Sequence, residues 1–233
     1  MNKNKPKILN PDLKEDYHIH SINFSDGFNT IDEIVIFAGN LGKKKIMITD
    51  HTSIGRRKSL SSRNILFSSW RNMHNDVEVD FGVEADILNS KGDVADTIYQ
   101  NITDEKIILS PHLSYYQDDL STLTEAFVNA IERFHERIFC IGHLHLGKIF
   151  WSPEIPESFD VVKVIETANK YKIPIEVNGS YLDEKCNCEI LDKILEHAET
   201  IVINSDAHTL SQMKDNPEKA RALLVKKGLL GER

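Results

Sequence analysis

The chain has 233 residues, of which 40% are hydrophobic and 27% are charged, and its formal net charge at pH 7 is -8. A chain of this length can bury a sizeable core as one domain, and its acidic balance disfavours binding to a nucleic-acid backbone, which requires a basic surface. The sequence contains neither an apolar signal segment nor the roughly 18 apolar residues of a membrane span. We therefore expect a single domain over residues 1–233, located in the cytoplasm, with no nucleic acid or membrane as a stable partner.

Seven short apolar runs have the length and composition of β-strands. In chain order they span residues 17–20, 45–49, 77–84, 106–110, 138–142, 173–177 and 200–205. Amphipathic segments that are typical of helices separate most of these runs, at residues 30–41, 59–74, 121–136, 158–171, 187–198 and 216–228. Between the third and fourth runs, residues 92–102 fit a helix only weakly.

Three of the predicted helices carry a start signal, one of which is Ser121 before the segment TLTEAF. Thr30 followed by Glu33 fits a capping box, and Pro217 fits the first turn of the last helix, where a missing N–H costs little. The alternation of strand and helix predicts parallel strands joined by crossover helices. Because no glycine-rich phosphate loop follows the first strand, a closed barrel is favoured over an open doubly wound sheet.

Side chains that ligate metals collect near the carboxyl ends of the predicted strands. In a parallel barrel these ends open onto one face, so residues far apart in sequence can converge on one pocket. His18 and His20 are two residues apart on a strand and therefore point to the same side. The whole set comprises His18, His20, Asp26, Asp50, His51, Glu84, His112, His143, Asp206 and His208. So many imidazoles and carboxylates at these positions predict a polynuclear metal site.

The segments that carry these residues resemble the PHP superfamily, which is named for polymerase and histidinol phosphatase. In the order that the family has, they are HIH followed by SDG, then ITDH, GVEAD, SPH, IGHLHLG and SDAH. The segments GVEADI, ILSPHLSYY and IEVNGS are similar to the histidinol-phosphate phosphatase branch. The resemblance implies an α/β fold, a distorted seven-stranded (β/α)7 TIM-like barrel of the PHP type, with a trinuclear metal centre.

The resemblance also implies how three divalent ions share the ligands. The first ion would be held by His18, His20, Glu84 and Asp206. The second ion would share Glu84 and take His112 and His143. The third ion would be held by Asp26, His51 and His208. Such ligands suit zinc, iron or manganese, and their type does not decide among these metals.

The activity implied is hydrolysis of a phosphomonoester by a hydroxide that bridges two ions. Asp206 or His208 would handle the proton of the leaving group, with His145 as the rival. Asp16 and Asp50 would orient ligand imidazoles from behind, or would act only as turn acids.

Phosphate binding would need cations, which the sequence offers at Arg56, Arg57 and Lys148. Tyr115 would line the pocket.

L-histidinol phosphate is the leading candidate substrate, which would place the enzyme in histidine biosynthesis. Two positions depart from that branch, because residue 26 is Asp where the branch usually has His, and residue 145 is His where it often has Asp. Asp26 favours the alternative of a PHP phosphoesterase that acts on nucleotide or sugar phosphates, or on phosphodiesters. A non-catalytic metal-binding module is a third possibility, although such a module should have lost ligands. The oligomeric state is left open.

Overall fold

Eight parallel strands form one curled sheet in the computed structural model, which describes residues 5–52, 69–95, 106–146, 153–183 and 186–232. In chain order the strands are β1 (Lys7–Ile8), β2 (Glu15–Ile19), β3 (Lys45–Ile48), β4 (Glu78–Asp86), β5 (Lys106–Ser110), β6 (Ile138–Ile141), β7 (Ile175–Asn178) and β8 (Thr200–Asn204). Their spatial order is β1-β8-β7-β6-β5-β4-β3-β2. Every neighbouring pair is parallel, so all carboxyl ends lie at the same edge.

The curl of the sheet brings β2, at one end of the order, next to β8. Ile19 and Ala207 form an isolated parallel bridge, and the His20 N–H donates to the Ala207 carbonyl at 2.9 Å. Further along the same seam, the Asn10 side chain donates to the Ile203 carbonyl at 2.6 Å and accepts from the Ile203 N–H at 2.9 Å. The first and last long strands therefore meet, although nearly the whole described chain lies between them.

Within the ranges that the structure describes, five α-helices connect the strands or follow the last one. They are α1 (Ile31–Asn40), α2 (Leu123–Phe134), α3 (Val161–Lys170), α4 (Cys188–His197) and α5 (Leu210–Lys226). The capping box at the start of α1 is present, because Thr30 accepts from the Glu33 N–H and the Glu33 carboxylate accepts from the Thr30 N–H. None of the helices in the described ranges has the length and apolar character needed to cross a bilayer.

The start of the last helix differs from the prediction. A second capping box, formed by Thr209 and Gln212, starts α5 six residues before the predicted position. Pro217 is therefore in the interior of the helix and not in its first turn. Proline in this position removes one backbone hydrogen bond from the helix. The Pro217 side chain is buried against the rest of the fold.

All seven predicted strands are present, within a few residues at their ends. The expected count of seven is nevertheless wrong by one, because the two-residue strand β1 also pairs with β8. A strand this short has no periodicity to detect. The helix predicted at residues 59–74 lies mostly outside the described residues, and so does most of the weak segment at 92–102.

The helices pack on the outside of the sheet and bury two apolar clusters. The larger cluster joins β4 to β8 with α2, α3, α4 and part of α5, and it includes the fully buried Phe127 and Ile165. The smaller cluster joins α1 to β2 and β3. Burying a side chain of this size stabilises the fold by about 1.5–3 kcal/mol. Packing of the helices on the outer face of the sheet therefore holds in place the strands whose carboxyl ends carry the polar residues.

Candidate metal centre

The nine predicted ligands come together at the carboxyl edge of the sheet. They lie in the last residues of strands or in the segments that follow, and they are His18, His20, Asp26, His51, Glu84, His112, His143, Asp206 and His208. The SDG turn folds back against the end of β2, where a Cβ atom on Gly27 would lie only 2.4 Å from the His20 carbonyl oxygen. Glycine is therefore required at position 27, next to the Asp26 carboxylate.

One group of ligands is completely buried and consists of His18, His20, Glu84 and Asp206. Their ligand atoms all lie within 4.8 Å of one another. The Asp206 Oδ1 atom is 3.4 Å from His18 Nε2 and 3.2 Å from His20 Nε2. The Glu84 carboxylate approaches the same two nitrogens at 3.5 and 3.3 Å. This is the set that the family resemblance assigns to the first ion.

Two further groups overlap the first one. His20, Asp26, His51 and His208 form the second, in which Asp26 Oδ1 lies 3.2 Å from His208 Nε2 and 3.5 Å from His51 Nε2.

The third group contains His51, Glu84 and His112. His143 reaches the same carboxylate, because its Nε2 atom donates to Glu84 Oε1 at 2.7 Å. Glu84 is therefore shared between groups. His20 and His51 are shared as well, which the family resemblance did not indicate.

Several buried ligand atoms in this pocket have no hydrogen-bond partner among the described residues. They are His18 Nε2, His20 Nε2, Asp26 Oδ1, His51 Nδ1 and Glu84 Oε2. A buried polar atom without a partner costs about 1–3 kcal/mol, and here such atoms face one another in one pocket. Imidazole nitrogens and carboxylate oxygens are good ligands for zinc, iron and manganese. The residues present therefore fit a centre of divalent metal ions.

Opposite charges govern the protonation of the pocket. Burial lowers the pKa of His112, but the Glu84 and Asp86 carboxylates outweigh burial and raise this pKa to about 9. Burial likewise acts against protonation of His18, and neighbouring carboxylates again raise its pKa well above the ordinary value. Burial raises the pKa of Glu84, but the surrounding imidazoles hold it well below its usual range. Metal ions that bind here must displace protons from imidazoles.

Two buried carboxylates behind the ligands were missed by sequence reasoning. Asp86 Oδ1 accepts a hydrogen bond from His112 Nδ1 at 2.6 Å, and Glu176 Oε2 accepts one from His18 Nδ1 at 2.8 Å. Such bonds fix the ring orientation of a metal ligand and raise its basicity. A signal for Glu176 was present, because a charged residue interrupts the otherwise apolar run that became β7.

The two carboxylates that were predicted to stand behind ligands differ in their contacts. Asp50 acts on His20 through Ser25, whose hydroxyl donates to Asp50 at 2.7 Å and lies 3.3 Å from His20 Nδ1. Asp16 makes no such contact with an imidazole side chain. It accepts from the Ser205 N–H at 3.0 Å and lies 3.8 Å from the Lys43 ammonium, because it sits deeper in the sheet, toward the amino end of β2.

The remaining predicted site residues have different positions. His145 is completely buried, its Nε2 atom donates to the Asn178 carbonyl at 3.0 Å, and burial lowers its pKa to about 4. Tyr115 ends the 3-10 turn that follows His112 and is 38% exposed. The predicted phosphate-binding cations, which are Arg56, Arg57 and Lys148, lie outside the described residues.

Two ligands have left-handed backbone conformations that non-glycine residues rarely adopt. The φ angle is 21° at His143 and 47° at Asp206. Strain of this kind costs about 1–3 kcal/mol per residue and clusters at functional sites, where the surrounding structure maintains it. Two of the predicted ligands thus combine a strained backbone with a side chain that contacts the other predicted ligands.

The chain is similar to curated phosphatases, although no protein-family model matches it. It is 31% identical to a probable phosphatase of Caldicellulosiruptor bescii over 207 residues, which are 84% of this chain and 80% of that protein. It is 26% identical to the DNA polymerase/3'-5' exonuclease PolX of Bacillus subtilis over 217 residues, which are 87% of this chain and 35% of that protein.

Among solved structures, the fold is similar to that of the histidinol phosphate phosphatase of Lactococcus lactis. The TM-score is 0.59 at 17% sequence identity, and the match covers 93% of this chain and 94% of that one. The Lactococcus structure contains zinc, L-histidinol and phosphate. With a relative above 30% identity over most of both sequences, the chain belongs to the family of these probable phosphatases, within the PHP superfamily.

Proposed function

We propose that this protein is a metal-dependent phosphatase that hydrolyses a small phosphomonoester, with L-histidinol phosphate as the first candidate substrate. The observation that carries the proposal is the set of overlapping ligand groups around the buried carboxylate of Glu84. Two comparisons support it, since one relative is named a probable phosphatase and the similar Lactococcus structure holds L-histidinol and phosphate.

The proposed centre holds three divalent ions. The group around His18 and Asp206 would hold the first, and the group around Asp26 and His208 would hold the third. Glu84 would connect the first ion to a second one at His112 and His143. When bound, such ions neutralise the charge of phosphoryl oxygens and make water a better nucleophile at neutral pH.

The exposure of the ligands indicates the side from which substrate enters. The first group is buried, whereas the side chains of His208 and Asp26 are 25% and 45% exposed. A phosphate ester that approaches the ions would therefore pass these two residues. Of the two residues proposed to handle the proton of the leaving group, His208 lies nearer the exposed rim, whereas Asp206 is buried between His18 and His20. We assign the buried His145 a positioning role at the turn that begins at Asn178.

A second candidate function is hydrolysis of nucleotide or sugar phosphates, or of phosphodiesters. The observation that favours it is Asp26 at the exposed rim of the site, where the histidinol-phosphate phosphatases usually have a histidine. A carboxylate at this position adds negative charge where the leaving group passes, and thereby changes which leaving group is tolerated.

Phosphate release from a substrate panel would separate the candidates. The panel contains histidinol phosphate, nucleotides, sugar phosphates and p-nitrophenyl mono- and diesters, with Mn²⁺, Fe²⁺ or Zn²⁺ restored to stripped protein. A kcat/KM for histidinol phosphate far above every other value supports the first candidate, and a preference for nucleotides, sugar phosphates or diesters supports the second. No release from any ester would contradict both and leave the non-catalytic module. The Glu84→Gln variant, prepared in parallel, controls for contaminating phosphatases.

A further inference from the structure

Glu176 is a fully buried carboxylate in the middle of β7 that accepts four hydrogen bonds. Its Oε2 atom accepts from His18 Nδ1 at 2.8 Å and from Asn204 Nδ2 at 2.9 Å. Its Oε1 atom accepts from the His143 backbone N–H at 3.2 Å and from Asn178 Nδ2 at 3.1 Å. Each oxygen thus serves a different ligand of the proposed metal centre.

All four partners of this carboxylate donate to it. The side-chain amides of Asn204 and Asn178 cannot exchange their oxygen and NH₂ positions without losing another hydrogen bond. The Asn204 Oδ1 atom already accepts from the Tyr17 N–H at 3.1 Å. The Asn178 Oδ1 atom already accepts from the Ser180 N–H at 2.7 Å. Each amide must therefore present its NH₂ group to Glu176.

The bond to His18 determines which nitrogen of the ring can bind a metal. Glu176 can only accept, so the proton of the neutral ring resides on Nδ1, and the lone pair of Nε2 faces Glu84 and Asp206. The bond to His143 has a different effect, because it holds the N–H of a residue whose φ angle is 21°. A strained residue keeps its conformation only where its surroundings impose it.

We propose that Glu176 is a positioning residue that links two ion positions of the metal centre, acting on one through His18 and on the other through His143. This inference rests on the proposed function, because it assumes that those histidines bind metal. It assigns Glu176 a specific chemical requirement, which is a side chain that accepts hydrogen bonds at both of its terminal atoms.

Glutamine has the same shape and cannot meet that requirement. If its NH₂ group faces His143, it opposes a backbone N–H and the amide of Asn178, and neither of them can accept from it. If its NH₂ group faces His18, the ring must move its proton to Nε2 to accept the bond, and the metal-binding lone pair is lost. Either orientation weakens binding at one of the two ion positions. Glu176→Gln therefore tests the need for two acceptor atoms without changing the shape of the side chain.

The experiment measures metal binding to Glu176→Gln without using activity. Co²⁺ is titrated into stripped protein against a competing chelator, and the visible spectrum of the bound ion reports its coordination. We expect affinity about 10–100 times lower than in the unchanged protein for at least one ion, as is typical when a partner behind a metal ligand is removed, together with an altered Co²⁺ spectrum.

The control separates positioning from general loss of stability. Ile194→Ala removes a fully buried side chain on α4, away from the proposed ligands. We expect this variant to melt earlier than the unchanged protein and to bind Co²⁺ with unchanged affinity and spectrum. Unchanged binding by Glu176→Gln, or an equal loss in both variants, would overturn the inference. If the unchanged protein binds metal but hydrolyses no ester, the proposed function fails while this test of Glu176 still stands.

Discussion

Replacing Glu84 by glutamine removes the negative charge that five imidazoles share. The Glu84 carboxylate lies 2.7 Å from His143 Nε2 and 2.9 Å from His51 Nδ1, with His18, His20 and His112 at 3.3–3.6 Å. Removing one partner of a buried ion pair costs about 3–5 kcal/mol. A domain of this size loses about 2–4 °C in Tm per kcal/mol. We therefore expect metal-stripped Glu84→Gln to melt about 6–20 °C below the unchanged protein at pH 6.

The size of this difference depends on pH. Glu84 stabilises the metal-free protein only while neighbouring imidazoles are protonated, and the pKa of His112 is raised to about 9 from an ordinary value of 6.5. A raised folded-state pKa contributes stability that is complete below 6.5 and is lost as pH rises through about 9. As the pH rises through that range Glu84 loses the counter-charge of His112, while the charge of His18, whose pKa is also raised, still faces it. The Tm difference should therefore be smaller at pH 9.5 than at pH 6.

Thermal unfolding followed by circular dichroism, on chelator-stripped proteins between pH 6 and 9.5, tests this reasoning. Glu78→Gln is the matched control, because Glu78 lies on the same strand with its side chain 64% exposed, and its replacement should change Tm little at any pH. If Glu84→Gln loses the same Tm at every pH, the effect of the residue is packing and the electrostatic account is wrong.

Three further predictions concern metal binding. Asp86→Asn should weaken binding of the ion at His112 about 10–100-fold, because the ring loses its charged partner; unchanged affinity in a chelator competition would contradict this. Asp26→Ala should reduce the metal content by one ion per chain without emptying the buried group, as elemental analysis would measure; an unchanged content would exclude Asp26 as a ligand. Metal loading at pH 7 should release protons, because the pKa of His112 is raised to about 9 in the metal-free protein and that of His18 is raised as well. Calorimetry in two buffers of different ionisation enthalpy measures that release, and equal heats in both buffers would refute it.

The convergence of the predicted ligands could be predicted because it depends on the topology of the sheet more than on the conformation of the loops. Parallel strands place their carboxyl ends together, so His18 and Asp206 could be expected to meet without any knowledge of the loops between them. In the structure, the His18 Nε2 atom lies 3.4 Å from the Asp206 Oδ1 atom. The strands themselves were predictable because continuous apolar runs are typical of parallel sheets that are covered by helices.

The contacts behind the ligands could not be predicted in the same way. Whether a buried carboxylate reaches an imidazole depends on its depth in the sheet, and Asp16 and Asp86 illustrate the two outcomes. Asp86 lies near the carboxyl edge and contacts His112, whereas Asp16 lies deeper and accepts a backbone N–H instead. Helix starts are also decided locally, because the Thr209 capping box begins α5 well before the proline that suggested a later start.

The seam between β2 and β8 gives the metal ions a role in folding. Any ion that binds both His18 and Asp206 is a reversible cross-link between the first and last long strands of the sheet. A cross-link stabilises a protein partly by reducing the conformational entropy of the unfolded chain, and this effect grows with the length of the loop that the cross-link closes. Here that loop includes nearly all of the described chain. Loss of the ions would therefore lower the free energy needed to separate the two ends of the sheet along this seam, where the backbone contacts between Ile19, His20 and Ala207 would remain.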